Sequence, residues 1–348
     1  MKSVVVALLL SACTLCDSAP VIAANCPLRN PDRQLHEIFP DATHYRTIVA
    51  NVDKDVKASV ERVLGQPLAL SDLGKHTLYM VLKGDMPIGF VHARTELGRR
   101  GGLELVWAMD IDLALVNFHV QRSRELYTYH LSTPQFRGVL IGRNLPQMRQ
   151  LLTDLNTAVD IPALRAPPKA AKLIHSTIQS GTKMRIITER AFGHVVFKAR
   201  LLGRLHVFHP GTATVRRIAP VTMDGRAGEI VMERTGGEPD QIDAKTLTVL
   251  RSFDHKQKPL GQMVYSRWTA HRSNAEIWWG VSLGGVINNM KIVGLVKDNF
   301  DEEIDQIVGK RLSDLFVSED MGDVSLTRSA IEVLSVIEAK REQTGNPD

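Results

Sequence analysis

Aromatic residues are scarce in this chain: Phe, Tyr and Trp make up 5% of its 348 residues. Proteins that hold single-stranded nucleic acid stack the bases on aromatic side chains, so this scarcity argues against such a surface. The formal net charge is +5, but the basic residues stand in ones and twos, as at Arg99-Arg100 and Arg216-Arg217. No long basic run is present, and we therefore expect no nucleic-acid partner.

Long apolar runs are also missing, since no segment reaches the roughly 18 residues that a membrane-spanning helix needs. The chain begins with Met1-Lys2, a short apolar run over 4–10 and then small residues. This layout is typical of a secretory signal peptide, which we place at residues 1–24.

Two processing routes are open for this signal. The small residues around Ala23 suit ordinary cleavage after Ala24, whereas Leu10-Ser11-Ala12-Cys13 resembles a lipobox that would leave a lipidated Cys13 at the membrane surface. The chain has three cysteines, and ordinary cleavage leaves only Cys26, which excludes an internal disulfide.

A sequence pattern occurs twice at a constant offset of 172 residues. The segment 87–120 aligns with 259–292 without a gap, and its apolar positions stay in step. The identical pairs are Pro87/Pro259, Gly89/Gly261, Arg100/Arg272, Glu104/Glu276, Trp107/Trp279 and Asn117/Asn289. Further on, the segment 141–145 matches 308–312, and each copy then shows a one-sided helical stripe.

This repeat predicts an α+β fold of two tandem copies, each an antiparallel sheet with helices packed on one side. The alternative is two unrelated sheet domains that share a hairpin by chance. We place the first domain at 27–205 and the second at 215–342, because Gly and Pro interrupt the periodicity between them. Within the first, the proline-containing segment 161–172 indicates an extended loop.

The residues resemble the FMN-binding domain family, found in the flavin subunits of the Rnf and Nqr electron-transport complexes and in the regulator of nitrous-oxide reductase. The resemblance rests on the segment Leu35–Tyr45, which is similar to the family's opening helix and turn, on Gly89 in its first sheet strand, and on the connector Phe136–Gly142. It covers most of the mature chain and implies the fold already predicted from the repeat.

The family's signature is Ser-Gly-Ala-Thr at the start of a helix, and its Thr carries FMN covalently. By resemblance, the candidate cofactor-binding residues are Ser180, Gly181 and Thr182 in the first copy, where the Ala is deleted, and Ser325 and Thr327 in the second. The resemblance implies FMN esterified through Thr182 or Ser325. The alternative for each hydroxyl is a plain helix cap or turn, which Ser and Thr commonly form.

The start of a helix is chemically suited to hold the phosphate of FMN. A helix N-terminus offers free N–H groups and a favourable dipole to a phosphate, and small residues let the backbone approach. We therefore expect Thr182 and Ser325 in or just before the first turn of their helices, with Lys183 and Arg185 supporting an anion in the first copy.

The resemblance implies an exported electron-transfer flavoprotein in the bacterial periplasm, loaded by a flavin transferase and partnered by a membrane or periplasmic redox protein. One alternative is a flavin-free accessory or assembly lipoprotein that keeps the fold and has lost the cofactor site. Another is a binder of a small anion between the two copies. No residue stands out as a catalytic acid, base or nucleophile.

Overall fold

A computed structural model describes residues 28, 30–98, 100–157, 159–217, 225–235, 247–267, 275–293, 301–315 and 326–344. The signal-peptide prediction at 1–24, including Cys13, lies outside the described residues. The candidate Ser325 also lies outside them.

The helices and strands form two similar series along the chain. The helices are α1 (Pro31–Ile38), α2 (Lys54–Leu64), α3 (Pro134–Leu140), α4 (Leu145–Asn156), α5 (Pro168–Ala191), α6 (Gly193–Phe208), α7 (Arg226–Thr235), α8 (Asp301–Ile307) and α9 (Leu326–Thr344). The strands are β1 (His44–Val52), β2 (Gly74–Lys83), β3 (Met86–Gly98), β4 (Gly101–Met109), β5 (Leu115–Ser123), β6 (Thr214–Arg217), β7 (Thr248–Phe253), β8 (Pro259–Arg267), β9 (Glu276–Ser282) and β10 (Ile287–Val293).

The strands form two five-stranded antiparallel sheets, each a simple meander. The first sheet has the order β1-β2-β3-β4-β5 and the second the order β10-β9-β8-β7-β6, so consecutive strands are always neighbours. The predicted α+β fold with two sheet copies is confirmed.

The two copies agree in a detail at the start of their last strands. In the first, the amide of Leu115 donates to the carbonyl of Arg143 and its carbonyl accepts from Gly142. In the second, Ile287 makes the same two bonds with Lys310 and Gly309. Both glycines have positive φ, 82° and 90°, a conformation that glycine adopts at little cost. The match between 141–145 and 308–312 thus corresponds to one shared backbone connection.

Alternate residues of each strand point to opposite faces of the sheet, and both faces are covered. On one face of the first sheet, Leu105 and Trp107 join the core formed with α2, α3, α4 and α5. On the other face, Val106 and Ala108 belong to a second cluster with Leu35 of α1.

The second sheet repeats this arrangement. Trp279 joins a core with α7 and α9, whereas its neighbour Trp278 packs on the other face against Leu205 and Phe208 of α6. Each sheet therefore has its main helical layer on one side and a single helix on the other. By position, α6 is the counterpart of α1 and opens the second series.

The junction between α5 and α6 consists of one buried residue, Phe192. Its amide donates to the carbonyl of Thr188 at the end of α5, and its carbonyl accepts from Val195 and Val196 in the first turn of α6. The one-sided helical stripe of the first copy, formed by Ile187, Ala191, Val195 and Ala199, is thus divided between two helices. Among the described residues, no helix combines the length and the apolar character needed to cross a membrane.

Candidate functional site

The motif Ser180-Gly181-Thr182 lies in the interior of α5, a 24-residue helix that begins at Pro168. The expectation that Thr182 stands in the first turn of a helix is wrong. The extended loop predicted for 161–172 is wrong from Pro168 onward, where α5 begins, whereas 161–167 contain only a short 3-10 turn at Pro162–Leu164. Pro168 occupies the first helical position, where its missing N–H costs nothing, and Lys169 to Leu173 are strong helix formers.

The hydroxyl of Thr182 is directed at its own helix. Thr182 is fully buried, and its Oγ1 donates to the carbonyl of Ile178 at 2.9 Å. Backbone N–H groups in a helix interior are already bonded to the preceding turn and have nothing to offer a phosphate. The residues at this position therefore do not fit a covalently held FMN.

Gly181 has a packing role in the structure. A Cβ built on it would lie 2.9 Å from two ring atoms of Trp107, closer than real Cβ contacts. The indole of Trp107 thus fills the space that a glycine beside a phosphate would leave open. The small residue lets α5 approach β4.

Ser180 belongs to a buried ionic network between α5 and the first sheet. Its Oγ donates to Oε1 of Glu96 at 2.9 Å, and Lys183 Nζ lies 2.7 Å from the other carboxylate oxygen. Lys183 also donates to Oδ1 of Asp72 at 2.9 Å. The ammonium group that was expected to attract an anion is thus engaged with two carboxylates.

Arg185 was expected to support the same anion, and it too has other contacts. Its guanidinium lies 3.4 Å from the carbonyl of Arg143 and 3.3 Å from that of Asp112. Burial lowers the pKa of Arg185 to about 10. Neither cation next to the motif is available to a phosphate at Thr182.

A chain of two buried histidines continues from this network. His76 Nε2 lies 2.9 Å from the backbone carbonyl of Asp72, so this nitrogen carries the proton and donates it. His76 Nδ1 lies 3.1 Å from Nε2 of His92, whose Nδ1 is 2.9 Å from the hydroxyl of Thr188. Burial lowers the pKa of His76 to about 4 and that of His92 well below its usual value. Both rings are therefore neutral at pH 7.

A cleft of about 620 Å³ opens over the Ser180–Glu96–Lys183 network. One wall is the cleft-facing side of α5, and the opposite wall comes from the ends of β3, β4 and β5 together with the segment that precedes β2. The cleft lies within the size range of small-molecule sites in proteins.

Sequence reasoning missed Asp72, Glu96 and both buried histidines. One usable signal was the spacing of Ser180 and Lys183, because residues three apart lie on the same face of a helix. For Asp72 and Glu96 no local signal exists, since they are separated from Lys183 by 111 and 87 positions along the chain.

The candidate motif of the second copy is described only from Leu326 onward. Thr327 is the second residue of α9 and is buried. Ser325 and the rest of its motif lie outside the described residues, and their role in holding FMN stays a prediction. Among the described residues, no group of three His, Cys, Asp or Glu side chains is placed to hold a metal ion.

Comparison with known proteins gives no relative from which to infer function. No protein-family model, no curated protein and no solved structure matches the chain.

Proposed function

We propose that this chain is a flavin-free binding protein, an accessory module that keeps the sheet-and-helix architecture of its predicted family without a flavin site in its first copy. The observation that carries the proposal is the position of Ser180-Gly181-Thr182 in the interior of α5, with Thr182 fully buried. The hydroxyl there donates to the carbonyl of Ile178, and the backbone N–H groups around it are bonded within the helix, so a phosphate would find no free backbone donors.

The test is visible absorption and intact mass of the full chain, produced by export in a host that contains a flavin transferase. We expect a colourless protein at the mass of the processed polypeptide, also after incubation with FMN. A yellow protein that is heavier by one FMN would overturn the proposal.

A second candidate is an electron-transfer protein that carries FMN on its second copy. It rests on the resemblance, which puts Ser325 at the acceptor position of the second copy, and on α9, whose described part starts at Leu326. The resemblance implies a helix start at this acceptor position, where the helix dipole would stabilise a phosphate ester. Its partners would be a flavin transferase and a membrane or periplasmic redox protein.

Two variants separate the candidates in the same experiment. If the protein is yellow, Ser325→Ala removes the colour and the added mass under the second candidate, whereas Thr182→Ala leaves both unchanged. A flavin lost only in Thr182→Ala would contradict both candidates, because it would place FMN on the buried residue.

We also propose that the protein is exported to the periplasm, on the evidence of the signal-like residues 1–24. The mass measurement checks this as well. A chain that begins at a lipidated Cys13 is a membrane-anchored lipoprotein, one that begins near Ala24 is a free periplasmic protein, and an unprocessed chain contradicts export.

A further inference from the structure

The wall that α5 contributes to the cleft is a continuous polar stripe. Its members lie on one side of the helix, at steps of three or four residues apart from the adjacent pair Gln179 and Ser180: Lys169, Lys172, Ser176, Gln179, Ser180 and Lys183. The stripe spans about 21 Å at 1.5 Å per residue. Lys169, Lys172 and Ser176 are exposed, whereas Ser180 and Lys183 are buried, so the stripe leads from solvent to the floor of the cleft.

The mouth of the cleft is positively charged. Lys169, Lys172 and Arg100 line it together with one carboxylate, that of Glu125. Glu125 accepts a bond from the backbone amide of Arg100 at 2.6 Å and keeps its negative charge, so the three cations and one carboxylate leave the mouth with a positive balance. In the part of the chain that the structure describes, none of the three cationic side chains forms an ion pair. An anionic group would be stabilised here.

The floor of the cleft has the opposite preference. Asp72 and Glu96 are balanced by Lys183 and by the buried Arg94, whose guanidinium donates to the carbonyl of Ser71. A further anion placed there would face two carboxylates in a poorly solvated site, which is unfavourable. The charged end of a ligand must therefore stay at the mouth.

The floor is instead suited to hydroxyl groups. Each oxygen of the Glu96 carboxylate accepts one bond from the chain, although a carboxylate oxygen can accept two. The hydroxyl of Ser180 donates a hydrogen bond to Glu96, and its oxygen can still accept a hydrogen bond from a ligand. Hydroxyls both donate and accept, and they can bind at these positions without adding charge. Leu103, Leu126 and Leu173 cover the remaining wall with apolar surface.

We propose that this cleft binds a small hydroxylated organic anion, with its carboxylate or phosphate at Lys169 and Lys172 and its hydroxyl groups directed toward Ser180 and Glu96. This deepens the proposed function, on which it rests, by giving the flavin-free module a ligand class. Phosphorylated and carboxylated polyols share the required chemistry, and the probes below distinguish them.

The experiment is calorimetric titration of the full mature chain with sorbitol 6-phosphate, gluconate and sorbitol. We expect at least one of the two anions to bind, and neutral sorbitol to bind at least about tenfold more weakly because it makes no charge-assisted contacts. The anion that binds more tightly identifies the charged group. Failure of both anions to bind, or equal binding of sorbitol, would overturn the inference.

Variants assign the binding to the cleft. The double change Lys169→Glu/Lys172→Glu should weaken anion binding by about tenfold or more, since each exposed position changes from attraction to repulsion. The matched control Lys198→Glu/Lys258→Glu reverses two exposed lysines that do not line the cleft, and should leave affinity unchanged. Equal losses in both pairs would show a general charge effect and contradict the cleft assignment.

The outcome is separable from that of the proposed function. A colourless protein that binds neither anion contradicts the ligand class alone, because the flavin-free assignment depends on absorption and mass. A yellow protein contradicts the flavin-free assignment whatever the titration gives.

Discussion

At the scale of single residues, the motif Ser180-Gly181-Thr182 contributes to the packing of α5 against the first sheet. Ser180, Gly181 and Thr182 are the residue types that a phosphate site needs, and short polar patterns do not distinguish a helix start from a helix interior. The structure assigns Gly181 to the contact with Trp107 and Thr182 to a bond with its own helix. The sequence identifies these residues as a motif. It does not show that Gly181 packs against Trp107, because Trp107 lies on β4, more than 70 positions away along the chain.

Gly181→Ala tests the packing role of that glycine. The added methyl group would lie 2.9 Å from the Trp107 ring, and we expect a loss of about 1–3 kcal/mol in the free energy of unfolding, as for other overpacked cores. Urea denaturation followed by tryptophan fluorescence measures it.

The matched control is Gly138→Ala in α3, where a Cβ would meet nothing within 4 Å. Alanine is the better helix former, so this variant should be unchanged or more stable by up to about 1 kcal/mol. If both variants behave alike, Gly181 has no special contact with Trp107.

The buried histidines predict a pH dependence of stability. The pKa of His76 is about 4 in the folded protein, below the ordinary histidine value, so between about pH 6.5 and pH 4 the unfolded chain binds more protons. The stabilisation from neutral His76 is therefore complete above about pH 6.5 and is lost as the pH falls toward 4. The loss from His76 alone is about 3 kcal/mol, an order-of-magnitude figure.

His76→Gln measures this contribution. Glutamine does not titrate, and its amide can still donate to the Asp72 carbonyl. We expect denaturation midpoints of the variant to vary less between pH 6.5 and 4 than those of the unchanged protein. His206→Gln, at an exposed position on α6, should retain the full pH dependence. An unchanged slope in His76→Gln would exclude His76 as its source.

At the scale of elements, periodicity predicted the sheets well and the helix boundaries poorly. The alternation in 87–120 and 259–292 gave the strands that became β3 to β5 and β8 to β10. The prolines before Lys169 predict a loop there, but proline also favours the first turn of a helix, which is its position in α5. The end of α5 was missed because the apolar stripe continues in phase through Phe192 into α6.

The contact of α6 with the second sheet is open to a direct test. Phe208 is buried against Leu250, Met263 and Trp278, and its carbonyl accepts from the side chain of Asn288. Phe208→Ala should cost about 3–5 kcal/mol of unfolding free energy, as for other large-to-small changes in cores. Its neighbour Val207 is 63% exposed, and Val207→Ala should cost little. A small effect in both would mean that α6 does not anchor the second sheet.

At the scale of the whole molecule, the sequence predicts two copies because two segments with the same fold place their apolar residues at the same spacing. It could not predict how the copies join. The joint is made by α6, whose Val196 and Ala199 belong to the core of the first sheet and whose Leu205 and Phe208 belong to that of the second. Arg200 links the halves further, with ion pairs to Asp112 and Glu276.

This sharing predicts which fragment of the second half can fold. Residues 193–348 retain α6, whereas residues 215–348 leave Trp278 and Met263 without their cover. We expect the longer fragment to unfold cooperatively in urea and the shorter one to aggregate or to lack a cooperative transition. A shorter fragment as stable as the longer one would contradict an anchoring role for α6, and would support the predicted start of the second domain at 215.

Phe192 has a consequence for how chains of this kind can diverge. One buried residue ends α5 and starts α6 with its own amide and carbonyl. Since an α-helix turns by about 100° per residue, inserting or deleting one amino acid here would turn the apolar side of α6 away from both cores. Natural variants should therefore differ in length at surface loops, such as the segment between α4 and α5, and keep this junction at a single residue. The single-residue junction thus fixes the rotation of α6 relative to α5, and with it the side of α6 that faces each core.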